Sequence, residues 1–342
     1  MKKKYTLLLL MLTIFSVSCS DNDGNNPQPL ELASVYVINE GNFSDSNGSL
    51  TSYYPETQEF TTKAFEAVNG RPFAGVIQDS DIYGDKLYLA ANVADKIEVI
   101  NRKTLKSVET IEMDASPTTI EVLDEETAYV GMLDGNMRII DLATGETTTT
   151  IEGFNGPRDI ERVGDKIYVT NNYGSTISVI DANTNEFTNT IEVLPGPNDM
   201  TVDSENQIWL VCNGNFSEAK AGVYVIDGEQ GTVEASITEG IVTGDSGYTK
   251  RMTLDEANAR AFLINEGVLE IDMNTYEVTE KIIDAGNFKA IGYFPLQDRL
   301  YLGRNNGYAQ TGIANVYTMD GTPIDTFNVG VAPRDIYFIN QN

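Results

Sequence analysis

Three proline-opened segments, SPTTIEV (116–122), GPRDIERV (156–163) and GPNDMTV (196–202), follow one another at a spacing of 40 residues, and a fourth, APRDIYFI (332–339), ends the chain. Each sets two polar residues ahead of an apolar one. Aligning the rest of the chain on that apolar residue extends the pattern to seven units. The first polar slot reads Gln78, Thr118, Arg158, Asn198, Lys250, Lys289 and Arg334; the second reads Asp79, Thr119, Asp159, Asp199, Arg251, Ala290 and Asp335. A ring of amides and cations can bond carbonyls and anions, or it can be the hydrated wall of a channel. The recurring Asp of the second slot is read as structural, accepting backbone N–H bonds from a neighbouring unit.

A second group of side chains falls between the apolar segments: the rings Phe43, Phe73, Phe154, Tyr173, Phe216, Tyr248, Phe288 and Tyr308, and the polar residues Arg71, Asn171, Asn213, Arg304 and Asn306. Singly, each ring suits bracing its own loop. Together, flat apolar rings beside amides suit a large amphipathic ligand.

Catalytic chemistry is poorly provided for. With no histidine in the chain, Ser-His-Asp and Cys-His catalysis, His-ligated zinc and imidazole bases are excluded. Cys212 lies in an apolar stretch and reads as a small core residue. Beyond the Asp slot no inward carboxylate cluster stands out, and the turns DLATGE, DANTNE, DGEQGT and DMNTYE lack the alternating acids of a calcium loop. The expectation is a binding protein, with no catalytic residues, no metal and no catalytic cofactor.

The chain opens MKKKYTLLLLMLTIFSVSCSDNDGNN, three lysines ahead of an apolar run too short to span a membrane comfortably, which reads as a secretory signal peptide over residues 1–18. Residues 19–32 are polar, with Pro27 and Pro29, and read as an extended tether. Removing residues 1–18, which carry three Lys and no acid, takes the formal net charge from −28 to −31. A body this acidic repels phosphates, so nucleic acid binding is disfavoured.

From residue 33 to 342, self-similarity at a period of about 40 residues dominates and calls for a propeller or solenoid. The aromatic strands are VYVIN (35–39), LYLAAN (87–92), AYVGM (128–132), IYVTNN (167–172), IWLVCN (208–213), AFLIN (261–265) and LYLGRN (300–305). Each is flanked by a strand before it, usually opened by proline, and two alternating strands after it, giving four short strands a to d per unit. The chain ends on a first strand without its remainder and starts on a second without its predecessor. The expected fold is therefore all-β, a seven-bladed propeller of four-stranded blades, closed by the C-terminal strand joining the N-terminal three.

In that arrangement the d-to-a and b-to-c loops share one face. The insertions fall there, in 39–49, 67–75, 212–222, 237–251 and 304–312, on blades 1, 5 and 7. Long loops on one face of a rigid scaffold are where such folds bind. The opposite face carries uniform Asp-initiated turns.

The units VTNNYGSTISVID and VLPGPNDMTV resemble the YVTN type of seven-bladed propeller of bacterial surface and periplasmic proteins. Ser16-Val17-Ser18-Cys19 resembles a bacterial lipobox with Ser16 in the usual Leu position, which implies lipidation of Cys19, and Ser20-Asp21-Asn22-Asp23 resembles the export signal of Bacteroidetes surface lipoproteins. With these features, VYVINEGNFSDSNGSLTSYYP resembles the Bacteroidetes lipoproteins that capture cobalamin and pass it to a TonB-dependent transporter, the BtuG type. The resemblance implies a lipid-anchored protein on the outer face of the outer membrane, monomeric outside its transporter complex, with cobalamin or another corrinoid on the loop-rich face and a TonB-dependent barrel as partner. A protein- or glycan-binding propeller would use the same loops, and a propeller lyase or lactonase is the remaining class.

Overall fold

The computed structural model describes residues 32–214, 221–242, 250–284 and 286–340. The signal peptide, Cys19 and nearly all of the tether lie outside them, as do Phe216 and Tyr248.

Seven four-stranded antiparallel sheets form the blades of a propeller. Blade 1 joins Leu32–Asn39, Ser49–Tyr54 and Glu59–Thr61 to the C-terminal strand Pro333–Asn340. The inner a strands of blades 2 to 7 are Val76–Tyr83, Pro117–Val122, Pro157–Val163, Pro197–Val202, Met252–Asp255 and Phe288–Phe294. Closure follows the sequence expectation: Val35 pairs with Phe338, Tyr36 with Tyr337 and Val37 with Ile336, so the strand Leu32–Asn39 is not left with an open inner edge.

The aromatic slot of the b strands, Tyr36, Tyr88, Tyr129, Tyr168, Trp209, Phe262 and Tyr301, is buried in all seven blades. These rings fill the wedge between neighbouring blades, and where the ring carries a hydroxyl it can also stitch them. Tyr168 Oη donates to Gly228 O in blade 5 at 2.7 Å, and Tyr129 Oη to Asn185 in blade 4. Cys212 is fully buried in the same layer, and burial pushes its thiol well above the ordinary value, as suits a core residue.

On one face, the c-to-d turns use the chemistry their sequences announce. Asp141, Asp181, Asp227 and Asp272 each accept two backbone N–H bonds from the residues two and three positions on, at 2.8–3.0 Å.

The a strands carry a feature that strict alternation does not foretell. In blades 1 to 5 and 7 the pairing register slips at the start of the a strand, and the residue left over is the first polar slot: Gln78, Thr118, Asn198, Lys289 and Arg334, with Arg158 and Asp159 together in blade 4. A β-bulge re-aims the side chain it leaves unpaired. It thereby lets two consecutive polar residues both serve the channel.

Candidate functional site

The first polar slot forms the upper tier of the axial channel. Its members are buried: Gln78, Thr118, Arg158, Asn198, Lys289 and Arg334 are all 9% exposed or less. A chain of bonds crosses the tier. Gln78 Nε2 donates to Glu40 Oε1 at 2.8 Å, and Arg158 Nη1 donates to Gln78 Oε1 at 2.6 Å. Burial raises the Glu40 carboxyl above its usual range, against the pull of Arg334, Arg158 and Lys289. The cations expected to ring an open mouth thus face a buried carboxylate from the NEGNF stretch.

That stretch, residues 40–48, lies over the mouth. Its backbone is tied to the junction of blade 7 with the C-terminal strand at Val331 and Ala332, and to the start of blade 2 at Gly75 and Ile77. Asn42 Nδ2 reaches the Tyr308 carbonyl of blade 7 at 2.9 Å. Gly48 is required where the loop meets blade 2, because a Cβ there would sit 2.7 Å from Gly75 O.

The Asp residues of the second slot clasp blade 2 to blade 3, blade 4 to blade 5 and blade 5 to blade 6. Asp79 accepts from Ile120 N at 2.9 Å and Thr119 Oγ1 at 2.7 Å; Asp159 accepts from Met200 N at 2.5 Å; Asp199 accepts from Arg251 N and Met252 N at 2.8 and 3.0 Å. This is the structural role expected of the recurring Asp, filled by three of the four; Asp335 accepts from Ile336 N of its own strand at 2.8 Å.

Two residues further along the same strand faces lies a lower tier, and here the sequence reading is corrected. An inward carboxylate cluster exists beyond the Asp slot: Asp81, Glu121 and Glu161, on consecutive blades 2, 3 and 4. They share a cavity of about 140 Å³ with Asp79, Asp159, Asp199 and Asp335. Facing them are Arg158 of blade 4, Lys250 at the entry to blade 6, and Arg334 and Tyr337 of blade 1. Burial first, then the charge of Glu161, pushes the Glu121 carboxyl up to about 10. Burial, only partly offset by Lys250, pushes Glu161 up to about 8. Burial opposes the charge on Lys250, but Asp335, Asp199, Glu161 and Asp159 outweigh it and hold the ammonium above its usual value. Among the described residues no three Asp, Glu or Cys side chains are arranged to hold a metal ion. The D-x-D, T-I-E and D-I-E spacing of blades 2 to 4 was the available signal for this tier.

Above the upper tier, on the loop-rich face, is a separate pocket of about 130 Å³. Its floor includes Gln78, Thr118 and Arg158, and its rim Phe43, Leu133 and Tyr173. The three rim side chains are 53, 57 and 62% exposed, apolar groups held in solvent around polar groups held out of it. The Tyr173 ring lies against Gly156, where φ is +72° and a Cβ would come within 2.6 Å of the ring, so the GPRD glycine is needed both for its turn and for the ring's seat. Asn92 and Asn172, also lining the pocket, each donate to the proline carbonyl that opens the next blade, Pro117 at 3.0 Å and Pro197 at 2.9 Å.

The family model described as a domain of unknown function, DUF5074, matches residues 33–216, more than half of the chain. The chain belongs to the DUF5074 family. No protein of curated function matches it. Among solved structures, this DUF5074 propeller is similar to a quinonprotein alcohol dehydrogenase-like protein of Bacteroides thetaiotaomicron at 14% identity and a TM-score of 0.72, covering 90% of this chain and 79% of that one. It is also similar to a functionally unknown protein of Desulfotomaculum acetoxidans (12% identity, TM-score 0.64, 90% and 99% covered) and to the hydrazine synthase of Kuenenia stuttgartiensis (13%, 0.57, 77% and 92%). At these identities the likeness is one of fold.

Of the side chains expected at a ligand site, the DUF5074 structure brings Phe43, Gln78, Arg158 and Tyr173 into one pocket. It adds Leu133, Asn92 and Asn172, which the sequence reading missed because the b-to-c loops of blades 2, 3 and 4 carry no insertions. Other expectations are corrected. Phe73 is 1% exposed and packs edge-on against Phe65 of the short helix Ala64–Asn69, a core contact. Arg71 lies over the Phe65 ring and pairs with buried Glu98 at 2.6 Å. Asn171 is spent inside its hairpin on Thr176 and Ser178. Arg251 bonds Asn213 and the Ile264 carbonyl, so both side chains serve the blade 5–6 junction. Phe154 and Phe288 are buried. Arg304, Asn306 and Tyr308 are exposed on blade 7, away from the pocket lining.

Proposed function

We propose that this DUF5074 propeller is a ligand-capture protein that binds cobalamin or another corrinoid on its loop-rich face. In this reading it is not an enzyme: it acts from a lipid anchor at Cys19 on the outer membrane surface and hands its ligand to a TonB-dependent barrel. One observation carries the binding reading: the exposed Phe43, Leu133 and Tyr173 surround the buried polar floor of Gln78, Thr118 and Arg158. Exposed rings give flat apolar area to a rigid macrocycle at little entropic cost, and the floor offers donors to its amide carbonyls. The likeness to cobalamin-capturing lipoproteins rests on the NEGNF stretch, and it is this stretch that supplies Phe43 and covers the channel mouth. The pocket is small beside a corrinoid, so the ligand would lie on the rim with one edge in the pocket.

The test is a calorimetric and thermal titration of the purified protein with cyanocobalamin. Binding is expected to release or absorb heat and to raise the melting temperature. Tyr173→Ala and Phe43→Ala should each weaken it by about tenfold, the order of one hot-spot side chain, while leaving the unliganded melting temperature nearly unchanged. Neither heat nor a thermal shift at ligand well above micromolar concentration would sink the corrinoid reading. Purified protein that binds a glycan or protein on the same rim, and is never coloured, would replace it with the receptor reading.

A further inference from the structure

The Arg158 side chain forms a wall of both cavities, the loop-face pocket above and the acidic channel below. The channel brings together seven carboxylates: Asp79 and Asp81 from blade 2, Glu121 from blade 3, Asp159 and Glu161 from blade 4, Asp199 from blade 5 and Asp335 from blade 1. Among the described residues lining it, Arg158, Lys250 and Arg334 oppose them; blade 7 contributes Lys289 in the tier above, where its charge acts on Glu40. Full ionisation would leave four uncompensated negative charges around about 140 Å³, room for a few water molecules. Like charges this confined cannot all ionise, so the cluster must retain protons as a unit. Five of the carboxylates accept backbone N–H donors, Asp79, Asp81, Asp159, Asp199 and Asp335, bonds that work against the burial that raises the first four. Among the described residues no such backbone clasp holds Glu121 or Glu161, and the charge of Glu161 opposes the ionisation of both Glu121 and Asp159.

We propose that the channel is a proton store, with a proton held by Glu121 and Glu161 at neutral pH, and that Arg158 couples this store to the loop-face pocket. When the proton leaves, the added negative charge holds the Arg158 guanidinium toward the channel and lowers the potential at the pocket floor. Acceptor groups of a ligand are then bound less tightly. By linkage, a ligand that engages Arg158 from above withdraws its charge from the channel and favours proton uptake. The burial and like-charge effects on Glu121 and Glu161 described above act in the same direction. The coupling to ligand rests on the binding role proposed for the pocket; the store and its link to Arg158 do not.

Infrared titration of the whole protein without ligand tests it. A protonated carboxyl band is expected at pH 7, disappearing as the pH is raised toward 10, and missing in the double variant Glu121→Gln/Glu161→Gln. Arg158→Gln should move the midpoint of that band upward by about one unit, within the range a nearby opposite charge exerts, while Arg158→Lys should leave it near the wild-type value. Circular dichroism confirms that each variant is folded, and the single Glu→Gln variants serve if the double one is not. No carboxyl band at pH 7, or a band untouched by the Glu substitutions, overturns the store; a midpoint indifferent to Arg158→Gln overturns the coupling. A separate titration with cyanocobalamin keeps the two proposals apart: failure to bind removes the corrinoid reading and leaves the Arg158 result to decide this one.

Discussion

The two tiers of the channel are built on the same seven strands, two or three residues apart, and differ in how their charge is balanced. In the upper tier the cations and amides of the bulged slot meet a buried carboxylate, Glu40, brought in by a loop from outside the repeat. In the lower tier Asp81, Glu121 and Glu161 occupy consecutive blades, while the equivalent positions of the repeat in blades 7 and 1 are Gly292 and Tyr337. Repetition alone would spread each residue type evenly round the ring. The blades depart from it in opposite ways: one tier gains a counter-charge from an insertion, and the other keeps an arc of like charge beside the very arginine that floors the pocket. Balance was therefore added where the protein is closed, and imbalance retained where protons can answer it.

The largest effect that could break this comparison comes from the strand contributing to both tiers. Deleting residues 333–342 removes Arg334, Asp335 and Tyr337 and reopens the edge of Leu32–Asn39, so cooperative thermal unfolding should be lost. A truncated protein melting like the full chain would refute closure by that strand. Next in size, Asp199→Ala leaves the buried Arg251 and Met252 N–H groups without their acceptor, and chemical denaturation should show about 1–3 kcal/mol of lost stability. Glu121→Gln, two residues deeper in the channel and with no such clasp, should cost far less at pH 7.

The smallest effect is one of pH. The folded values of Glu121 and Glu161 are raised, so between the ordinary carboxylate range and about 8–10 the folded protein holds more protons than the unfolded chain. Stability is then lost as pH rises through that window, and the melting temperature should fall between pH 6 and pH 9. The double Gln variant should flatten this slope and melt higher than wild type at pH 9. A wild-type melting temperature that rises over that interval would show that the lower tier is ionised and balanced like the upper one.

Much of this was legible in the residues. The aromatic slot, the proline-opened strands and the unmatched ends announced seven blades and their closure, because each is a local pattern whose period is fixed by strand geometry. The Asp clasp and the Asp-initiated turns were legible for the same reason: their partners are the next blade at one repeat distance, or the next two residues. Tyr173 was named but given its place only by the fold, since its blade lacks an insertion. Leu133 was missed outright, as a lone apolar residue in a short turn has no signature distinguishing a rim from a brace.

What the tertiary structure decided is where the chain departs from its own repeat. The bulge at the head of the a strands adds a residue to a two-residue alternation, so the depth of Asp81, Glu121 and Glu161 could not be counted off from the proline. The path of residues 40–48 depends on bonds to Ala332, Gly75 and Tyr308, all distant along the chain, and that path alone carries Phe43 from blade 1 to the pocket shared with Tyr173 of blade 4. The sequence by itself determined the ring, because hydrogen-bonded alternation is local. Closure of the ring determined the site, because only there do side chains from opposite blades share one small volume and one electrostatic field.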